Sequence, residues 1–162
     1  MNATQQTDTS CRQALWPLVA DDAVDRAMNT LIPQAERLIE DLFRYPHQME
    51  RHQLTNLVAV ALETESVAVV LDYVRYQIGR DSKAETWRKG QPSFGSQLLE
   101  QLEELRRRAG GLIDEAIRQY GIEPPDRQAE EERLWMLLVR RFVGSLHRSF
   151  VYYEARRKEE RK

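Results

Sequence analysis

The sequence predicts an all-α protein, a single compact bundle of about five helices. Two observations carry this. Wherever the chain is apolar the apolar residues recur with the helical period, and alternation of apolar and polar residues never persists as a strand requires. The chain has 162 residues of which 41% are apolar, enough to fill one core but not two.

Residues 1–20 open with the polar stretch MNATQQTDTS, which lacks an apolar signal-peptide core and reads as a flexible lead. Residues 21–157 are the expected bundle. A weak helical turn is expected around Asp22 to Asn29. A first firm helix runs from about Thr30 to Tyr45, with Leu31, Ala35, Leu38, Ile39 and Leu42 on one stripe and Pro33 in its first turn. Pro46 closes it. The second helix covers about Met49 to Glu63, with Leu54, Leu57, Val58 and Ala61 inward. The third covers about Ser66 to Arg80, with Val67, Val70, Leu71, Val74 and Ile78 inward and Gly79 at its end.

Residues 81–95, DSKAETWRKGQPSFG, mix Gly, Pro and Ser with charges and form the longest interior connection, the natural place for a functional loop. A fourth helix spans about Ser96 to Gln119, with Gly110-Gly111 as a possible kink. Gly121 stops it, and Pro124-Pro125 introduces the last and longest helix, about Asp126 to Arg157. Residues 158–162 are an expected frayed tail.

Net charge is only -2, so affinity for a polyanion cannot come from bulk charge and must be local. Through Asp72 there are 5 Lys and Arg against 11 Asp and Glu; after it there are 19 against 15. Such polarity suits subunits that stack with unlike ends in contact, although it also occurs by chance. Cys11 is the single cysteine, so no disulfide or zinc framework forms within the chain, and a reducing cytoplasm is the expected location.

From Arg133 to Tyr153 there is no Asp or Glu. On a helical wheel Trp135, Leu138, Val139, Phe142, Leu146, Phe150 and Tyr153 gather on one side, and Arg133, Arg140, Arg141 and Arg148 on the other around Gly144. An acid-free arginine stripe suits phosphate tracking; the alternative is that these arginines pair with acids from neighbouring helices. A second candidate surface lies at the end of the third helix. There Arg75, Tyr76, Gln77 and Arg80 adjoin the loop bearing Lys83, Trp87, Arg88 and Lys89, an interleaving of cations and aromatic rings that can hold a backbone without reading sequence.

No catalytic set emerges. His47 and His52 point roughly 140° apart if helical and do not share a metal, so a surface role is expected. Glu100, Glu103, Glu104, Asp114 and Glu115 are similar to the Mg²⁺ carboxylates of all-α nucleotide pyrophosphatases, but Arg106, Arg107 and Arg108 intervene and a solvated face is the plainer reading. No Gly-rich phosphate loop or nucleophile elbow is present, and no cofactor or metal is expected.

Three stretches, HQLTNLVAVAL at 52–62, DYVRYQIGRD at 72–81 and RRFVGSLHRSFVYY at 140–153, together resemble the small helical subunit of type III CRISPR effector complexes, in its Csm-type form or a related subtype. Gln53-Leu54, Asn56 and Leu57 match a family pattern on an early helix, and Tyr76, Gly79 and Arg80 match a Tyr-x-x-Gly-Arg-like turn. Thr55 stands where that pattern has arginine. The resemblance implies a non-catalytic subunit stacked head-to-tail in several copies along guide RNA and target RNA, touching the backbone and large subunits of the complex. The expected sequence-blind contacts to RNA are Arg75, Arg80, Lys83, Arg88, Arg133, Arg140, Arg141 and Arg148. A helical adaptor that binds only protein, and an all-α Mg²⁺-dependent hydrolase, are the competing classes.

Overall fold

The computed structural model describes the backbone of residues 2–162 and the side chains from residue 8 onward. Every regular element among the described residues is a helix: α1 (Asn2–Gln13), α2 (Trp16–Phe43), α3 (Arg51–Glu63), α4 (Val67–Arg80), α5 (Phe94–Tyr120) and α6 (Arg127–Glu159). The five helices α2–α6 form the bundle, and α1 precedes it.

α6 is the central member, covered by α2, α3 and α5, while α4 packs mainly against α3 and α5. Cross-helix contacts fix the directions. α2 runs parallel to α6, because Asp25 meets Arg141 near the middle and Phe43 meets Phe150 and Tyr153 near the end. α3 and α5 run antiparallel to it: Arg51 pairs with Glu154 and the Ala61 carbonyl with Arg140, and on the other side the Trp135 indole donates to the Leu102 carbonyl at 2.8 Å. α3 and α4 form a helical hairpin. The apolar stripes converge on one core in which Leu31, Ile39, Leu57, Leu98, Ile113 and Phe142 are fully buried.

The largest difference from the sequence reading is at the front. Residues 2–13 are helical rather than an irregular lead, and the bundle begins at Trp16, not at 21, since Trp16 and Ala20 are both buried. The expected turn at Asp22 to Asn29 and the helix beginning at Thr30 are one helix of 28 residues with Pro33 inside it. Proline there removes one intrahelical bond and crowds the carbonyl four residues back. Pro33 and Asn29 both face solvent, so water can reach the released carbonyl. The stripe from Trp16 to Leu42, buried on either side of the proline, holds the helix through it.

The remaining boundaries differ by small amounts. Gly79 lies within α4, which ends at Arg80 with Asp81 as its cap. Gly110-Gly111 falls inside an uninterrupted α5, which ends where Gly121 takes a φ of 62°. α6 continues to Glu159, past the start of the expected tail.

Candidate nucleic-acid interface

The α3–α4 hairpin leaves a cleft at its open end. Residues on one face of α3, namely His52, Gln53 and Asn56, look across it at Tyr73, Gln77 and Arg80 of α4, and the following loop closes it with Asp81, Thr86 and Trp87. It encloses about 250 Å³. Gln53 spends its amide oxygen on the Glu50 N–H at 2.8 Å, reinforcing the start of α3, and keeps its amide N–H groups. Asn56 is exposed with no partner among the described residues. Gln77 is 8% exposed, one turn along α4 from Tyr73. Burial pushes the Tyr73 phenol up from its ordinary value, against the opposing influence of Arg80.

The loop after α4 is organised by one carboxylate. Asp81 accepts from the backbone N–H of Glu85 at 3.2 Å, Thr86 at 3.0 Å and Arg88 at 2.8 Å. Burial pushes its pKa up, but these bonds outweigh it and hold the carboxyl below its ordinary value. The loop is anchored again by the Gln48 N–H on the Glu85 carbonyl at 2.8 Å, and Gly90 takes a φ of 99° under the Tyr45 ring. Trp87, expected from sequence as a stacking platform, is instead buried at 1% exposure beside Phe94, because the loop folds its one large apolar side chain into the core. Its indole N–H has no acceptor among the described residues.

The eight basic residues expected to touch RNA separate by partner. Arg140 is half-buried, donating from Nε to the Ala61 carbonyl at 2.9 Å and from Nη2 to the Thr64 carbonyl at 2.7 Å and Glu65 at 2.8 Å. It caps the end of α3, a task that takes its Nε and Nη2 donors. Arg141 pairs with Asp25 of α2, Arg133 with Glu130 one turn earlier, and Arg75 with Glu103 of α5. For Arg141, and for Arg140 through Glu65, this is the pairing with acids outside the helix that the acid-free stripe left open, whereas Arg133 pairs within α6. Burial pushes Glu130 up, but the bonds from Arg133 prevail and hold it below the usual carboxylate range.

Arg80, Lys83, Arg88 and Arg148 are exposed and have no acidic partner. Arg80 lies over the Tyr76 ring at 5.7 Å, and Arg88 touches only the Asp81 carbonyl, at 3.3 Å. Three of these four sit together at the cleft end. Arg148 lies apart on α6, its guanidinium over Gly144, where the close backbone approach expected at that glycine is therefore covered. Thr55 faces α6, 3.1 Å from His147.

Charge is distributed along the bundle axis, not between the two halves of the sequence. Because α2 lies beside α6, the acidic front half and the basic back half neutralise one another laterally, as at Asp25 and Arg141. Acids collect instead where α2 and α6 begin, with Asp21 and Asp22 on one and Asp126, Glu130, Glu131 and Glu132 on the other. The opposite end carries Arg44, Arg80, Lys83, Arg88, Lys89 and the α6 tail with Arg156, Arg157 and Lys158. The α5 carboxylates do not converge: Glu103, Glu104 and Asp114 each pair with a different arginine, and no three potential ligands among the described residues gather as a metal site.

His47 is not the surface residue expected. It precedes α3 and packs edge-on to Phe43 at 4.7 Å and beside Phe150, where burial, with Arg157 contributing, lowers its pKa below 6.5. The unfolded chain therefore takes a proton more readily than the folded one, so this contribution to stability is full above about pH 6.5 and declines as the pH falls toward the lowered folded value. His147 is lowered in the same direction, by burial and then by Arg51 and Arg148. The expected result is a urea midpoint that drops between about pH 7 and 5.5, with a smaller drop in His47→Phe. An identical drop in that variant would assign the effect elsewhere.

The pairing of Gln53 and Asn56 with Gln77 was not anticipated as a site. The available signal was Gln77 itself, a polar residue on the buried seam of α4 next to Val74. No helix is long and apolar enough to cross a membrane among the described residues. No family model matches the chain, and no curated protein or solved structure is significantly similar to it.

Proposed function

We propose that the chain is a non-catalytic, RNA-contacting helical subunit of a type III CRISPR ribonucleoprotein, working in the cytoplasm. The observation that carries this reading is convergence. Gln53 and Asn56, from the first stretch that resembles the family, face Gln77 and Arg80, from the second, across one cleft. Beside it stand cations that no acid of the chain neutralises. Arg80, Lys83 and Arg88 supply charged, sequence-blind donors to a phosphate backbone, and the exposed Tyr76 ring stiffens Arg80 by stacking. Guide RNA and target RNA are the partners this surface suits.

The acidic and basic ends of the bundle support stacking of copies head-to-tail, alongside the backbone and large subunits of such a complex. In this reading Arg133, Arg140 and Arg141 hold the fold and Arg148 is a secondary contact. Neutralising Arg80, Lys83 and Arg88 together by alanine is expected to weaken binding to a fluorescently labelled RNA and flatten its salt dependence. Each lost phosphate contact removes about 0.7 from the log–log slope on a single strand, roughly 2 in all. An unchanged slope in fluorescence anisotropy removes these residues from the interface.

A further inference from the structure

We infer that the cleft between α3 and α4 is a nucleobase site, which on the RNA reading above takes one unstacked base of the bound strand while Arg80 holds the adjoining phosphate. Four features of the cleft point to this class of ligand. Its wall is polar but poor in free cations, Arg80 being the one without an acidic partner, so it suits a neutral group attached to a single anion better than a free polyanion. The α3 side presents two carboxamides one turn apart, Gln53 and Asn56, the second without a partner among the described residues, and carboxamides match the mixed donors and acceptors along a base edge.

Gln77 places a third carboxamide opposite them, one turn along α4 from Tyr73 and held by its burial. Trp87 forms part of the wall, which places its indole where it reports on a ring entering the cleft. The size agrees: about 250 Å³ holds roughly eight waters at ~30 Å³ each, space for one or two fused rings. Single-stranded RNA is commonly recognised through bases splayed out of the stack in this manner.

The test uses the whole chain and observes the indole N–H signals of its three tryptophans by nuclear magnetic resonance, with Trp87→Phe to assign the relevant one. Adenosine, guanosine, cytidine and uridine monophosphates are titrated singly, with ribose phosphate as the control that lacks a base. The expected result is a saturable shift of the Trp87 signal with at least one nucleotide, absent with ribose phosphate and lost in Asn56→Leu, which keeps the side chain's branching at an exposed helical position but removes its donor and acceptor. The same variant is expected to bind RNA about tenfold more weakly with an unchanged salt slope, since the base contact is lost and the phosphate contacts remain. A Trp87 signal unmoved by all four nucleotides, or moved equally by ribose phosphate, overturns the inference. If that happens while RNA still binds with the expected slope, only the base site fails; a saturable nucleotide response without salt-dependent RNA binding supports the base site and overturns the RNA reading.

Discussion

Gly95→Ala is expected to destabilise the protein by about 2 kcal/mol, although alanine is the better helix former. A methyl group on this buried residue would run into Ile78 of α4 and sit 2.8 Å from the Trp87 carbonyl. That same carbonyl accepts the Gly95 N–H at 2.7 Å, so it cannot easily retreat. The absent side chain lets α5 start directly against the end of α4, which in turn brings the loop at 81–93 over the cleft. Gly111→Ala is the matched control: it lies in the same helix, exposed, with nothing within 4 Å of the added carbon, and it should stabilise by up to about 1 kcal/mol. Opposite signs for the two changes in urea denaturation are expected. Stabilisation by both would show that the helices do not approach at Gly95 as described.

Arg140→Ala should destabilise by roughly 2–3 kcal/mol, because it removes donors from the Ala61 and Thr64 carbonyls at the end of α3 and leaves them partly buried without their partner. Arg148→Ala, by contrast, removes an exposed side chain with no acidic partner and should stay within about 0.5 kcal/mol of the parent. The two arginines lie on the same side of a helical wheel of α6, about 80° apart, so the size of the difference measures how far the stripe has been divided between fold and surface. Similar small losses for both would return Arg140 to the pool of free cations.

Much of the fold is legible in the sequence where local pattern and punctuation agree. α3, α4 and α5 combine clear helical stripes with Pro46, the 81–93 connection and Gly121, and their ends are placed within two residues of the expected ones. The front of α2 is not legible because Pro33 breaks the local signal, while its stabilisation comes from α5 and α6. The arginines illustrate the same limit at the site. An acid-free run in α6 looks unpaired along the chain, yet Arg141 finds Asp25 and Arg140 finds Glu65, 116 and 75 residues away. Partnering at that separation is a property of the packed bundle and not of the helix that carries the arginine.

The cleft is an intermediate case. The stretch DYVRYQIGRD discloses Arg80 and Tyr76 as an unusual polar face, but Gln77, expected on that same face, is buried and faces Gln53 and Asn56 of α3. The loop shows the reverse: its tryptophan looks available in sequence and is committed to the core, leaving Lys83 and Arg88 as the exposed groups. What the loop contributes to a partner is therefore charge, with Trp87 reachable only through the cleft wall.

The central claim is that one end of the bundle, around Arg80, Lys83 and Arg88, meets RNA, while the α6 arginines paired within the chain do not. The salt dependence of RNA binding tests it most directly, compared among the parent chain, the Arg80, Lys83 and Arg88 triple alanine variant, and Arg141→Ala. The expected result is a steep negative slope for the parent, a slope shallower by about 2 for the triple variant, and a parental slope for Arg141→Ala. No salt-sensitive binding by the parent, as for an adaptor that binds only protein, or a slope lost in Arg141→Ala and kept in the triple variant, would contradict it.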